Sequence, residues 1–352
     1  MTAFDYGNAR LRAMKARLLT RPALDALAEA RGIPSLAAAL ADTPYRPHID
    51  AALARLSGPG TVFRALLLDL QETVAKITRC YHDEARSIVG IVLRRYDIHN
   101  LKAVLRGVSR NAAPEAIAEA WLPPGVLGEP VLRDLAGAGD LRAAVDRLAT
   151  LRFPLSRPLI DLRAGHPGAG LFEMELALSR WHYRTAAEEL TGGRHAALSE
   201  DLEWQSDIED LVTVLRFVSG MRAVGGGGGP SASDLRAVLL GYGSLSIREL
   251  VQAASADSVE GAVRSLQRTR YGPALRAGFE RFQSSDRLSD IELELRRAHL
   301  TRSAGRIRTD PLGIGVPLGY LALKSSEIAN LRWIIRGVGS GLPAAEIKAG
   351  IQ

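Results

Sequence analysis

Seven histidines, one cysteine and several clusters of closely spaced glycines are the residues of this 352-residue chain whose types could support metal binding, nucleophilic catalysis or phosphate capture. Zinc needs three or four His, Cys or carboxylate donors converging on one point. His48, His82, His99, His166, His182, His195 and His299 are scattered, and none forms an HExxH pair. Cys80 is the only cysteine, so the chain has no internal disulfide and no thiolate cluster, as in proteins of a reducing compartment, and it reads as a small buried side chain. Phosphate capture by backbone N–H groups calls for a glycine-rich turn between a strand and a helix. No GxxxxGK[ST] run occurs. The glycines at 313, 315 and 319 lack a strand before them, and those at 337, 339 and 341 read as a helix terminator. The run Gly241, Tyr242, Gly243, Ser244 is not a GxSxG elbow and reads as a turn. The expectation is no catalytic, cofactor-binding or metal residue, no cofactor, and a chain that is not an enzyme.

The elements that would position any such residue are helical. Hydrophobic residues make up 47% of the chain, charged residues 24% and aromatic residues 5%, a balance that folds and that favours Ala, Leu and Arg over β-branched alternation. The fold class is therefore all-α. The opening MTAFDYGNARLRAMK has an early acid and no apolar core, unlike a secretory signal. The longest uncharged run, Pro311 to Leu323, is far short of the ~20 apolar residues needed to cross a bilayer. Any membrane association is expected to be peripheral. The net charge of +6 and pI of about 9.6 come from arginines interspersed with acids, so charge alone leaves a nucleic-acid partner as an alternative without selecting it.

The most informative feature is internal repetition. DIHNLKAVLRGV from Asp97, DIEDLVTVLRFV from Asp207 and EIANLRWIIRGV from Glu327 align without gaps. Each reads acid, Ile, two free positions, Leu, two free positions, two aliphatics, Arg, one free position, Val. A second landmark keeps the same phase: an aromatic next to a proline at Tyr45, Phe153 and Tyr271, lying 52, 54 and 56 residues before the acids at 97, 207 and 327. Between the landmarks lie looser amphipathic segments from Leu66, Met174 and Ile291.

Within the signature, Ile98, Leu101 and Leu105 share one helical face, widened by Val104, and the other copies repeat this. The repeat residues Asp97, Leu101 and Arg106, Asp207, Leu211 and Arg216, and Glu327, Leu331 and Arg336 are thus expected to be structural. Acid and arginine, nine positions apart, lie half a turn round the helix and roughly 13 Å along it, so they cannot pair. Each is expected to meet other helices, as a repeated salt bridge or cap. His99 falls inside the first signature, but Glu209 and Ala329 take its place in the other copies, so no shared function can depend on it.

Seams are expected after each signature. The first runs from Ser109 to Pro114, and the second includes Gly225 to Gly229 and Pro230. Three helical repeat domains follow, at residues 1–115, 116–232 and 233–352. The third signature helix is expected to open at Asp310 and Pro311, with Pro317 bending or interrupting it.

RRYDIHNLKAVLRG, from Arg94 to Gly107, and the closing DPLGIGVPLGYLALKSSEIANLRWIIRGVGSGLPAAEI, from Asp310 to Ile347, resemble the C subunit of the A/V-type rotary ATPases, the counterpart of the d subunit of eukaryotic V-ATPases. The resemblance covers essentially the whole chain. The middle copy departs from it most, with Phe217 where the flanking copies have glycine, and with the five-glycine run. The resemblance implies three similar helical domains about a pseudo-threefold axis forming a funnel. It implies a non-catalytic central-stalk rotor subunit on the cytoplasmic face of the membrane, a socket joining the soluble shaft subunits to the membrane proteolipid ring for proton or sodium transport. It implies that the chain binds no nucleotide, and its basic surface would then meet acidic groups on the shaft or anionic lipid headgroups. A basic helical nucleic-acid-binding repeat protein is the alternative, and a helical enzyme with a deep polar pocket is the third reading.

Overall fold

The computed structural model describes residues 3–54, 58–122, 125–193, 195–223 and 232–351, so the five-glycine run lies outside the described residues. Among those described, the elements are helices joined by turns, with no strand, as the composition predicts. The chain divides into two compact units, residues 1–157 with 304–352, and residues 158–303.

Along the chain the first nine helices are α1 (Asp5–Lys15), α2 (Arg21–Leu27), α3 (Ile33–Ala41), α4 (Arg46–Leu53), α5 (Pro59–Cys80), α6 (Asp83–Ser109), α7 (Pro114–Ala118), α8 (Glu129–Ala136) and α9 (Leu141–Thr150). There follow α10 (Arg157–Gly165), α11 (Leu171–Glu189), α12 (Ala196–Ala223), α13 (Ala232–Val238), α14 (Ile247–Ala254), α15 (Val259–Ser265), α16 (Gly272–Ser285), α17 (Leu288–Thr309), α18 (Gly315–Gly339) and α19 (Ala344–Gly350). The three signatures lie in α6, α12 and α18, which are among the longest helices because little in them interrupts the ladder.

In the first unit, α18 fills a core built by the other end of the chain. Leu331, Ile334 and Ile335 of α18 join Leu36, Leu40, Ile49 and Leu66 in one buried cluster. The other signature helix of this unit, α6, packs against α7, α8 and α9. In the second unit, α12 packs against α14 and α15, and Leu211, Val214 and Leu215 meet Leu250, Val263 and Leu275. Each such leucine or isoleucine removed from water contributes about 1.5–3 kcal/mol.

The ends of α6 and α18 are built alike. Past α6, Asn111 takes φ of 52° and Ala112 N–H donates to Gly107 O at 2.9 Å; past α18, Gly341 takes φ of 70° and Leu342 N–H donates to Gly337 O at 2.9 Å. These are left-handed helix terminators that satisfy a carbonyl the helix itself leaves open. Pro114 and Pro343 then open the short helices α7 and α19, whose Ile117 and Ile347 lie against Gly107 and Gly337. A Cβ on either glycine would come within 2.3 or 2.7 Å of that isoleucine, so the signature glycine is a packing requirement. Phe217 replaces it in α12, where it packs against the apolar core of the second unit.

One expected boundary is corrected. α18 begins at Gly315 and not at Asp310, because the Asp310 carboxylate accepts from Gly315 N–H at 2.8 Å and holds residues 310–314 as a turn. Pro317 therefore sits in the first turn, where a missing N–H costs nothing, and it does not interrupt the helix.

Candidate functional site

The three signature acids are all buried: Asp97 is 1% exposed, Asp207 0% and Glu327 5%. A buried carboxylate is costly unless hydrogen-bonded, and each is satisfied by the segment that packs on its helix. Asp97 accepts from Gly125 N–H at 2.9 Å, Val126 N–H at 2.8 Å and Leu127 N–H at 3.1 Å. Asp207 accepts from Ser244 N–H and Oγ–H, both at 2.8 Å, and from Leu245 N–H at 3.1 Å. Gly125 and Gly243 allow this approach, since a Cβ there would lie 2.4 and 1.9 Å from the carboxylate oxygens. Glu327, one methylene longer, accepts from Leu19 N–H at 2.5 Å.

The aromatic landmark completes two of these sites, and it comes from an unexpected copy. Tyr271 donates its hydroxyl to Asp207 at 2.6 Å, and Tyr45 donates to Glu327 at 2.6 Å. Sequence order pairs Tyr45 with Asp97 and Tyr271 with Glu327. The fold instead joins each tyrosine to the acid of the copy before it, with the third copy closing on the first. Burial, then the neighbouring carboxylate, raises the pKa of both phenols. Phe153, the third landmark, has no hydroxyl, and three N–H donors serve Asp97 in its place. Burial raises the Asp97 pKa, while these donors and the Arg94 charge pull it down.

Asp207 and Glu327 each also contact a cation, which is not the signature arginine. Arg270 reaches Asp207 at 3.2 Å and stacks over Trp204. Lys324, itself buried, contacts Glu327 at 2.6 Å, Asp69 at 2.7 Å and the Tyr45 hydroxyl at 2.9 Å. His48 extends this network, with Nε2 2.8 Å from Glu72 and Nδ1 3.8 Å from Asp69.

A second buried polar position recurs three residues after the acid, at Asn100, Asp210 and Asn330, within what the repeat pattern treats as free positions. Asn100 exchanges two hydrogen bonds with Leu122, at 2.8 and 3.1 Å. Asp210 accepts from Leu240 N–H at 2.7 Å and Gly241 N–H at 2.9 Å. Burial above all, helped by the nearby Asp207 charge and opposed by these N–H donors, pushes the Asp210 carboxyl up to about 6. The Asn, Asp, Asn series was visible in the aligned copies as the missed signal.

Leu101, Leu211 and Leu331 are buried beside these acids, while Arg106, Arg216 and Arg336 all face outward. Arg216 meets Glu292 at 3.3 Å across to α17. Of the histidines, His99 sits 3.1 Å from Ala120 O, and His299 sits 2.9 Å from Asp201, a carboxylate that also accepts from Ser303 and Gln205. Ser244 is consumed by Asp207, and Cys80 is only part-buried. No group of three or more His, Cys, Asp or Glu that could hold a metal occurs among the described residues. No described helix is long and apolar enough to cross a membrane.

The outward stripe of α18, Ser325, Ala329, Arg332 and Arg336, lines a groove of about 440 Å³ in the first unit, with apolar walls that include Tyr96, Leu122, Ile328 and Trp333. Trp333 is 38% exposed, its ring tied by Nε1–H to Ile347 O at 2.9 Å.

Among the described residues, one long helix with a buried mid-helix acid recurs three times, each acid occupied by donors of the fold, which defines a packed helical scaffold. A sequence model of the family described as ATP synthase (C/AC39) subunit matches residues 7–350. The chain is 28% identical to the C subunit of the A-type ATP synthase of Thermococcus kodakarensis, over 99% of this chain and 90% of that protein. It is 25% identical to the C subunit of the A-type ATP synthase of Methanocaldococcus jannaschii, over 99% and 86%, and 25% identical to the C subunit of the V-type ATP synthase of Deinococcus radiodurans, over 99% and 91%. The chain belongs to the ATP synthase (C/AC39) subunit family, the non-catalytic C subunits of A/V-type rotary ATPases.

Proposed function

We propose that this chain is the central-stalk socket of a rotary ATPase, receiving the soluble shaft on one side and seating on the proteolipid ring at the cytoplasmic face of the membrane. The observation that carries this reading is the family match over residues 7–350, joined to a signature helix built three times with its acid stapled to the following copy. In this reading residues 1–115, 116–232 and 233–352 are three related modules of a funnel. Asp97 ties the first to the second, Asp207 the second to the third, and Glu327 the third back to the first.

A part that transmits torque without chemistry must resist deformation. Close-packed helices with buried polar staples suit that task, because interiors at crystal-like density transmit strain. Stable seating on shaft and ring would bury on the order of 1,200–2,000 Å² at each contact.

The test is reconstitution. The purified chain is mixed with the soluble shaft subunits and, separately, with vesicles bearing the proteolipid ring. Co-elution with the shaft and ring-dependent sedimentation are expected. Failure of both, with a salt-sensitive gel shift on DNA or RNA, would transfer the assignment to a nucleic-acid-binding repeat protein.

A further inference from the structure

Arginines on this protein's helices are commonly matched by an acid one turn away, as Arg21 is by Asp25, Arg133 by Glu129, Arg264 by Glu260 and Arg296 by Glu292. Arg332 and Arg336 break that habit. They stand one turn apart on α18, where the helical neighbour of each is the other guanidinium, and neither forms an ion pair with a carboxylate among the described residues. Like charges at this spacing oppose each other, and Arg332 is half-buried besides. Its pKa is lowered first by burial and then by Arg336. The local field is positive beyond the pair, since His99 on α6 feels Arg106, Arg332 and Lys102 together. Apart from Ser325, the groove holding these charges is mainly apolar, with Tyr96, Leu122, Ile328 and Trp333 on its walls.

Two guanidiniums one helical turn apart, lining one mainly apolar groove, match one kind of occupant, a carboxylate carried on an apolar support. We propose that this groove is the anchor for an amphipathic helix of the shaft, whose acidic side chain lies between Arg332 and Arg336 while its apolar neighbours one turn away cover Ile328 and Trp333. The planar forks of arginine bind carboxylate bidentately, and the apolar walls exclude water around that contact. A helix ridge seated in a groove is a common mode of recognition. Free phosphate would leave the apolar walls wet, and lipid headgroups on a bilayer surface present no ridge to enter a groove. The proposal rests on the socket reading and names the chemistry the socket grips.

The test is titration calorimetry of the full chain against its own shaft subunits at low and high salt, using wild type, the double variant Arg332→Gln/Arg336→Gln, and Arg216→Gln as a surface control. The double variant is expected to bind about 30-fold or more weakly at low salt, with a flatter salt dependence, while Arg216→Gln matches wild type. Circular dichroism and thermal melting report folding. Should the double variant not fold, the exposed Arg336→Gln alone carries the test, with about 5-fold weakening expected. Equal affinity of wild type and a folded variant would overturn the anchor while leaving the socket reading intact. No shaft binding by wild type would end both. Inorganic phosphate and phosphatidylglycerol vesicles serve as parallel probes. A loss in the variant confined to either of these, with shaft binding unchanged, would also overturn the anchor.

Discussion

Tyr271 is fully buried with its hydroxyl 2.6 Å from a fully buried carboxylate, so removing that hydroxyl strips a charge-assisted donor from a group that cannot reach water. Tyr271→Phe is expected to destabilise the protein by about 1.5–3 kcal/mol in urea unfolding, and a loss below ~0.5 kcal/mol would show that Arg270 and the Ser244 donors suffice. Asp210 makes a pH prediction. Its carboxyl is raised to about 6 in the folded state, so between the ordinary carboxylate range and pH 6 the folded chain holds a proton that the unfolded chain has lost. Stability from this group is therefore complete below about pH 4 and declines as pH rises through 6, by roughly 2–3 kcal/mol. Asp210→Asn, the residue type of the flanking copies, is expected to flatten this part of the curve of unfolding free energy against pH. An unchanged slope would remove Asp210 from the account.

At the scale of elements, the decisive pieces are the joints between a long signature helix and the short helix after it. Gly107 and Gly337 let Ile117 and Ile347 lie directly on α6 and α18. Gly107→Ala and Gly337→Ala each force a methyl group into an isoleucine, and each is expected to cost about 1–3 kcal/mol in denaturant unfolding. Because α12 carries Phe217 at this position, Phe217→Gly is expected to destabilise as well, by opening a cavity in the second unit's core. Stabilisation by Phe217→Gly would mean that α12 tolerates the glycine joint of its sister helices. The helices themselves were legible from apolar periodicity, because Ile98, Leu101 and Leu105 had to share a face. The start of α18 was not, because a carboxylate accepting from the backbone five residues on leaves no periodic trace.

At the scale of the whole molecule, the first unit is closed by its most distant segments. Tyr45 and Glu327, 282 positions apart, meet through a hydrogen bond, and Lys324 ties both to Asp69 on α5. Lys324→Met leaves Asp69 and Glu327 buried without their cation and is expected to cost about 3–5 kcal/mol. Hydrogen exchange followed by mass spectrometry gives the sharper test. Protection should fall together in α2 to α4 and in α18, while the buried core around Leu211 and Leu275 keeps its protection. Exchange increased in α18 alone would show that the ends of the chain are not one cooperative core.

By itself the sequence determined the all-helical class, the three copies and the apolar face of each signature helix, since these depend on local propensity and on helical period, which neighbouring residues encode. It also carried the Asn, Asp, Asn series beside the acids, in plain view but without a stated role. Tertiary structure decided which copy each tyrosine serves, that Arg270 answers Asp207, and that Tyr96 and Leu122 wall the groove of Arg332 and Arg336. Those pairings join residues tens to hundreds of positions apart, and in an unaligned single chain no periodicity records a contact that only the closing of the fold creates.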